Sequence, residues 1–293
     1  MATTLDLRAP ARMARLGPGA TTVKDRGQGS GVGGRHAEDE RDVSPSPSPR
    51  PPAPVRIVTY NVHKCRGMDR RENPLRIAEV LRETCADIIA LQEVLSIEGS
   101  ARERDQARFL AEELGMTYSI GENRRLRGGA YGNVILSRWP PTNVRNYDIT
   151  WRGRERRGCL RADFSVGETT LHVFNIHLGT AFIERRHQAR KLVSHEILNQ
   201  DELKGARVVL GDFNEWTRGL ASNLLAAHLQ SADIRYHLKR ARTYPGILPF
   251  LHLDHIYYDD ALELKHLALH KTRTSMVASD HLPLVADFET RES

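Results

Sequence analysis

The chain lacks most of what would place it in a special class at sight. No stretch approaches the roughly 20 consecutive apolar residues that a membrane-crossing helix needs. Its three cysteines, Cys65, Cys85 and Cys159, are odd in number and have no metal-ligand spacing, which argues against a disulfide framework and a thiolate metal site. Aromatic residues make up only 6%, and no loop interleaves them with basic residues as a base-stacking platform would. Zinc-finger spacing and internal repeats are missing too. At the N-terminus Arg8, Arg12 and Arg15 faintly resemble a transit segment, but Asp6 and the lack of an apolar h-region count against export. The default location is then cytoplasmic, and the default oligomeric state a monomer.

What is present divides the 293 residues in two. Residues 1–54 are rich in glycine, serine, proline and arginine, with Ser44-Pro45-Ser46-Pro47-Ser48-Pro49 running on to Pro51-Pro52. Such a segment cannot bury enough apolar surface to fold, and a disordered tail is expected. Residues 55–290 carry the patterning of one globular domain. The formal net charge of +6 fits a polyanionic partner and fits solubility equally well.

Within the domain, Val55 to Tyr60 reads as a strand and Asn73-Pro74 as the capped start of a helix carrying Ile77, Val80 and Leu81. Asp87 to Leu91 reads as a strand stopping at Gln92-Glu93, and 103–113 as a helix closed by Gly115. Strands follow at Thr117 to Ile120, Ala130 to Leu136, Cys159 to Phe164 and Thr170 to Phe174. A helix is expected from Ile183 to Leu198, its aliphatic face fully used by the core, and another near 217–229. Strands around 208, 256–258, 264–269 and 284–288 complete the pattern. Many mainly antiparallel strands with segregated helices imply an α+β fold of two sheets packed face to face with helices outside.

The organising stretch is Gly211-Asp212-Phe213-Asn214, which follows the apolar run Arg207-Val208-Val209-Leu210. Strand periodicity would put Asp212 and Asn214 on one side. Other strands end in the same way: Asn61, Glu93, Asn133, Asn175 with His177, Asp254, and Asp280 with His281. Polar groups of this kind at the rim of a sandwich need partners or water, which favours one shared cluster. Oxygen donors without clustered cysteine suit Mg²⁺, with Mn²⁺ as substitute, rather than zinc.

Seven segments carry a resemblance: Tyr60-Asn61-Val62-His63, Leu91-Gln92-Glu93-Val94, Tyr131-Gly132-Asn133, Asn175-Ile176-His177-Leu178, Gly211-Asp212-Phe213-Asn214, Leu253-Asp254-His255-Ile256 and Ser279-Asp280-His281-Leu282-Pro283. In this order they resemble the motifs of the endonuclease/exonuclease/phosphatase superfamily. The resemblance implies a four-layer α/β sandwich and metal-dependent phosphoester hydrolysis. It implies Glu93 as principal metal ligand with Asn61 beside it and Asp280 as a further metal-side or water-side carboxylate. It also implies Asp212 as the group that orients or deprotonates the attacking water, with Asn214 steadying water and phosphate. His281 resembles the histidine that donates to a phosphate oxygen, Asp254 the carboxylate that fixes its tautomer, and His177 and Asn133 phosphate-side groups. Tyr118 is open between a phosphate-contacting hydroxyl and a core aromatic.

The substrate is less constrained. Arginines at 124, 125 and 127, at 66, 70 and 71, and at 152, 154, 156 and 157 would ring such a site and gather phosphates. A phosphodiester of DNA or RNA is the leading expectation. A phospholipid headgroup or small phosphorylated metabolite is the alternative, and a catalytically silent RNA- or protein-binding adaptor is an alternative of another class.

Overall fold

The computed structural model of the chain describes residues 12–14, 54–215, 219–232, 243–245 and 251–291. A short strand, β1 (Arg12–Ala14), pairs antiparallel with β4 (Thr117–Leu126), while the other residues of 1–53 lie outside the described ones. One sheet runs in the order β1, β4, β5 (Gly129–Ser137), β3 (Ile88–Ser96), β2 (Val55–Asn61), β13 (Leu284–Thr290), β12 (Leu262–Leu269). The second runs β10 (Gln230–Ser231), β11 (Asp254–Tyr258), β9 (Ala206–Asp212), β8 (Thr169–His177), β7 (Gly158–Val166), β6 (Asn143–Asp148).

Alternation along the strands explains the layers. In β2, Val55 and Ile57 join residues of β7, β8 and β9 in the cluster between the sheets. Val58 and Tyr60 face the other way, into a cluster shared with α1 (Pro74–Thr84) and α2 (Gln106–Leu114). On the second sheet Phe174, Ile176, Val209 and Tyr257 face α3 (Phe182–Leu192) and α4 (Leu220–Ala226) in the same way. Strands apolar on both faces are central ones, and the result is the expected four-layer α/β sandwich.

Each sheet is antiparallel except for one central pair, β2 with β3 and β8 with β9. Parallel neighbours end at the same edge, so these four strands discharge their polar terminal residues together. Gly211 is needed for this: its φ of 145° and a backbone so close that an added Cβ would meet the Ile176 carbonyl oxygen leave no room for a side chain.

Several boundaries differ from the expectation. The strand at Glu93 does not stop but bulges, with Glu93 at φ 59°, and continues to Ser96. The strand expected to end at Ile120 runs on to Leu126 as β4. The strand 143–148, the short helix α5 (Ser275–Ala278) and β10 had no expectation. The helix after His177 ends at Leu192; Ile197 is still buried, in a turn beyond it. Ile183, the expected first residue of that helix, is 62% exposed, and Phe182 before it is 59% exposed. The helix near 217–229 is α4, and 217–218 lie outside the described residues. No described helix is long and apolar enough to cross a membrane.

Candidate active site

The pit at the shared edge is built around Asp212, the last residue of β9, which is 1% exposed. Its register partners are His177 on β8 and Asp254 on β11, so sheet pairing alone sets these three side by side. The other sheet contributes Asn61 and Glu93, and the turn before β13 contributes His281. Asn61 Nδ2 donates to Asp212 Oδ2 at 2.9 Å and lies 3.4 Å from Glu93 Oε1. His177 Nε2 and His281 Nε2 approach Asp212 Oδ2 from two sides, at 3.5 and 3.6 Å. Groups more than 200 residues apart in sequence thus converge within one hydrogen-bonded cluster.

The two histidines have opposite partners. His281 Nδ1 is 2.8 Å from Asp254 Oδ2; a carboxylate only accepts, so Nδ1 carries the proton. Burial alone would push the imidazole down, but the charges of Asp254 and Asp212 outweigh it and raise the pKa to about 10. His177 Nδ1 lies 3.0 Å from Arg157 Nη1, and a guanidinium only donates, so this nitrogen is the acceptor of a neutral ring. Burial and the Arg157 charge bring its pKa down to about 4, against the pull of Asp212 and Glu93. Asp212 itself is pushed up, first by burial, with the His281 cation opposing.

Glu93 sits on the bulge, where its left-handed backbone turns the side chain out of the strand and into the pit. Burial favours its neutral form, but nearby positive charge wins and holds it below the usual carboxylate range. We assign that mainly to the Lys64 ammonium, 2.6 Å from Oε2, because His177 contributes only when it is itself protonated. The donor set suits a hard divalent cation: Glu93 offers a half-buried carboxylate oxygen pair. Among the described residues no three His, Cys, Asp or Glu side chains form a cage. Such a site would leave most positions to water and substrate, the usual mode for Mg²⁺. Asn61 turns its NH₂ toward the carboxylates because Oδ1 accepts from the His63 amide at 3.0 Å.

The remaining expected residues fall into place unequally. Asn214 is not extended; at φ 50° it closes a turn in which its N–H donates to Asp212 Oδ1 at 2.9 Å, while Nδ2 donates to Leu178 O at 2.9 Å. The period-two argument for Asp212 and Asn214 therefore fails, although both stay at the pit's edge. Asp280 Oδ2 lies 3.6 Å from His63 Nδ1, and the Asp280 charge adds to the upward push on His281. Asn133 is fully buried and donates to the carbonyls of Gly158 and Asn175, tying strand β5 of one sheet to β7 and β8 of the other. Tyr118 packs with the cluster under α1 and α2, the core reading of that residue.

Three neighbours had no assigned role in sequence: Lys64 on Glu93, Arg157 on His177, and Tyr244, whose ring centroid is 5.0 Å from that of His281. Arg157 was visible only as one arginine among several; nothing in the string marks it as the buried one.

These features define the class. A family model described as the Endonuclease/Exonuclease/phosphatase family matches residues 58–281, and the chain belongs to that family, whose members are metal-dependent phosphoesterases. In sequence it is 31% identical over 243 residues to the uncharacterized protein YbhP of Escherichia coli K12, covering 79% of this chain and 95% of YbhP. In structure it resembles the human Nocturnin catalytic domain with bound sulfate, at TM-score 0.65 and 20% identity, covering 83% of this chain and all of that one. It also resembles a Bacteroides thetaiotaomicron mannosyl-6-phosphatase, at TM-score 0.63 and 15% identity, over 80% and 99% of the two chains. At these identities the structural likenesses speak for the fold alone.

Proposed function

We propose that the protein is a divalent-metal-dependent phosphodiester hydrolase acting on DNA or RNA. The observation that carries the reading is the buried Asp212 carboxylate, flanked by one neutral and one protonated histidine and joined through Asn61 to Glu93.

Glu93 would hold the cation, Mg²⁺ or Mn²⁺, with Asn61 and Asp280 close by. When bound, the cation supplies charge neutralisation at phosphate and a lower pKa for water. The chain's own groups do the rest. Asp212, pushed up by burial, is a better proton acceptor than a solvated aspartate, and His177 and Asn61 fix its orientation. Asn214 stands two residues on to steady water and phosphate. The His281 imidazolium donates to a non-bridging oxygen where negative charge grows in the transition state, with Asp254 locking its tautomer. Asn133 acts by holding the strands that carry His177 rather than by touching phosphate.

The test is hydrolysis of bis-p-nitrophenyl phosphate with Mg²⁺, with Mn²⁺ and with chelator. Turnover is expected with either metal and is abolished by chelator. Asp212→Asn, nearly isosteric, should fold normally and lose at least about two orders of magnitude. Metal-independent turnover, or full activity in Asp212→Asn, contradicts the reading.

A further inference from the structure

The arginines that seemed equivalent in sequence are not equivalent in the fold. Arg124 pairs with Glu155 at 2.9 Å and lies over the Tyr131 ring, Arg125 pairs with Glu122 at 3.4 Å, and Arg127 with Glu72 at 3.0 Å. Arg157 is buried on His177. By contrast Arg152, Arg154, Arg156 and Arg186 are exposed and make no ion pair with any described residue. Four exposed cations therefore stand on the 152–156 loop and the first turns of α3, next to the Arg157 that is buried on His177.

The same segments hold the largest exposed apolar groups among the described residues. Phe182 and Ile183, at the start of α3, are 59% and 62% exposed. Trp151 stacks on His187 of α3 with ring centroids 3.5 Å apart and planes 14° from parallel, clamping the arginine loop to the helix. Both segments are tied to the chain around the pit: Arg157 closes the loop onto His177, and Arg185 of α3 donates to the carbonyls of Gly179 and Thr180, just beyond it. The Trp151–His187 stack thus joins an arginine-bearing loop to a helix start that exposes an aromatic ring.

We infer that this surface is the track for single-stranded nucleic acid, with Phe182 and Ile183 taking an unpaired base and Arg152, Arg154, Arg156 and Arg186 the flanking phosphates. The inference rests on the phosphodiesterase reading and sharpens its substrate class. A base can stack on a protruding ring only when its face is free, which duplex pairing and stacking deny. A bilayer is the poorer fit. The rest of α3's apolar surface faces inward with Ala189 and Leu192, leaving two side chains where an interfacial helix presents a whole apolar face.

The test is fluorescence anisotropy in chelator, so that binding is read without cleavage, using labelled oligothymidylate, a duplex of equal length, and vesicles containing anionic phospholipid. Tighter binding of the single strand than of the duplex is expected. Phe182→Ala with Ile183→Ser should weaken the single strand by roughly tenfold, as loss of base stacking does, with the salt slope unchanged. Arg152→Gln, Arg154→Gln and Arg186→Gln together should lower that slope by about 2. All variants should hydrolyse bis-p-nitrophenyl phosphate like the wild type, because none touches the pit. Equal affinity for duplex and single strand, an unaffected Phe182/Ile183 variant, or a defect confined to vesicles would overturn the inference. Wild-type protein that binds the single strand but hydrolyses nothing with metal would overturn the hydrolase reading instead.

Discussion

The two flanks of Asp212 present the same side chain in opposite states. On the β8 flank, His177 faces Arg157 and is kept neutral; on the β13 flank, His281 faces Asp254 and is kept charged. Both rings are buried and both put Nε2 within 3.6 Å of the same carboxylate oxygen, so depth and distance do not separate them. The partner on Nδ1 does. A donor-only guanidinium and an acceptor-only carboxylate dictate opposite protonation, and under the proposed function opposite work: orientation of the base on one side, charge donation to phosphate on the other.

The largest break in this comparison should come from His281→Ala, which removes the permanent cation. A loss of at least about two orders of magnitude in kcat at saturating metal is expected, against little effect from His63→Ala; steady-state kinetics on bis-p-nitrophenyl phosphate would reverse the assignment if that ranking reversed. Next is Asp254→Asn, which keeps the shape but removes the charge holding His281 at about 10. Its rate should fall about tenfold at neutral pH, and the alkaline limb of the pH–rate profile should move down toward the ordinary histidine range. The converse change, Arg157→Met, should let the His177 pKa rise from about 4, so that the acid limb moves to higher pH and activity at mildly acidic pH drops. The smallest effect belongs to Lys64→Met. Removing the ammonium that competes for Glu93 should tighten Mn²⁺ binding a few-fold by calorimetry, by roughly 1 kcal/mol.

Linkage gives the comparison a second readout, in stability. His281 is raised from 6.5 to about 10, so its stabilising contribution is complete below about 6.5 and is lost as pH rises through about 10. His177 is depressed from 6.5 to about 4. The unfolded chain therefore takes up a proton that the folded one refuses, and this group costs stability as pH falls from about 6.5 toward 4. Urea midpoints across pH should show each slope vanish in the matching variant, His281→Gln or His177→Gln.

Much of this was legible in the sequence. Alternating apolar residues in Val55 to Tyr60 and the capped start at Asn73-Pro74 are local signals, and the structure keeps them; the Asn73 side chain accepts from Arg76 N at 3.0 Å. The ordered polar strand ends named the residues of the pit, since a strand must deliver its last side chains at a sheet edge. What could not be read was whatever depends on tertiary placement. The Glu93 bulge arises because two residues of β3, Gln92 and Glu93, pass against the single Asn133 of β5, and no residue type announces it. Asn214 leaves the extended region to cap Asp212, which defeats a two-residue period. Periodicity carried the helix from Ile183 on to Leu198, whereas α3 ends at Leu192 and Ile197 is buried in a turn beyond it. The arginines show the same limit: one string holds a buried partner for His177, three paired surface residues and a free cationic face, and composition treats them alike.

The most direct measurement is histidine-selective ¹⁵N NMR of the metal-free protein between about pH 5 and about pH 9, assigned with His177→Gln and His281→Gln. The account predicts one imidazole protonated on both nitrogens throughout, whose signal disappears in His281→Gln, and one neutral throughout, whose signal disappears in His177→Gln. Two rings titrating together near 6.5 would contradict it, because the partners on Nδ1 would then not be setting the charges on either side of Asp212.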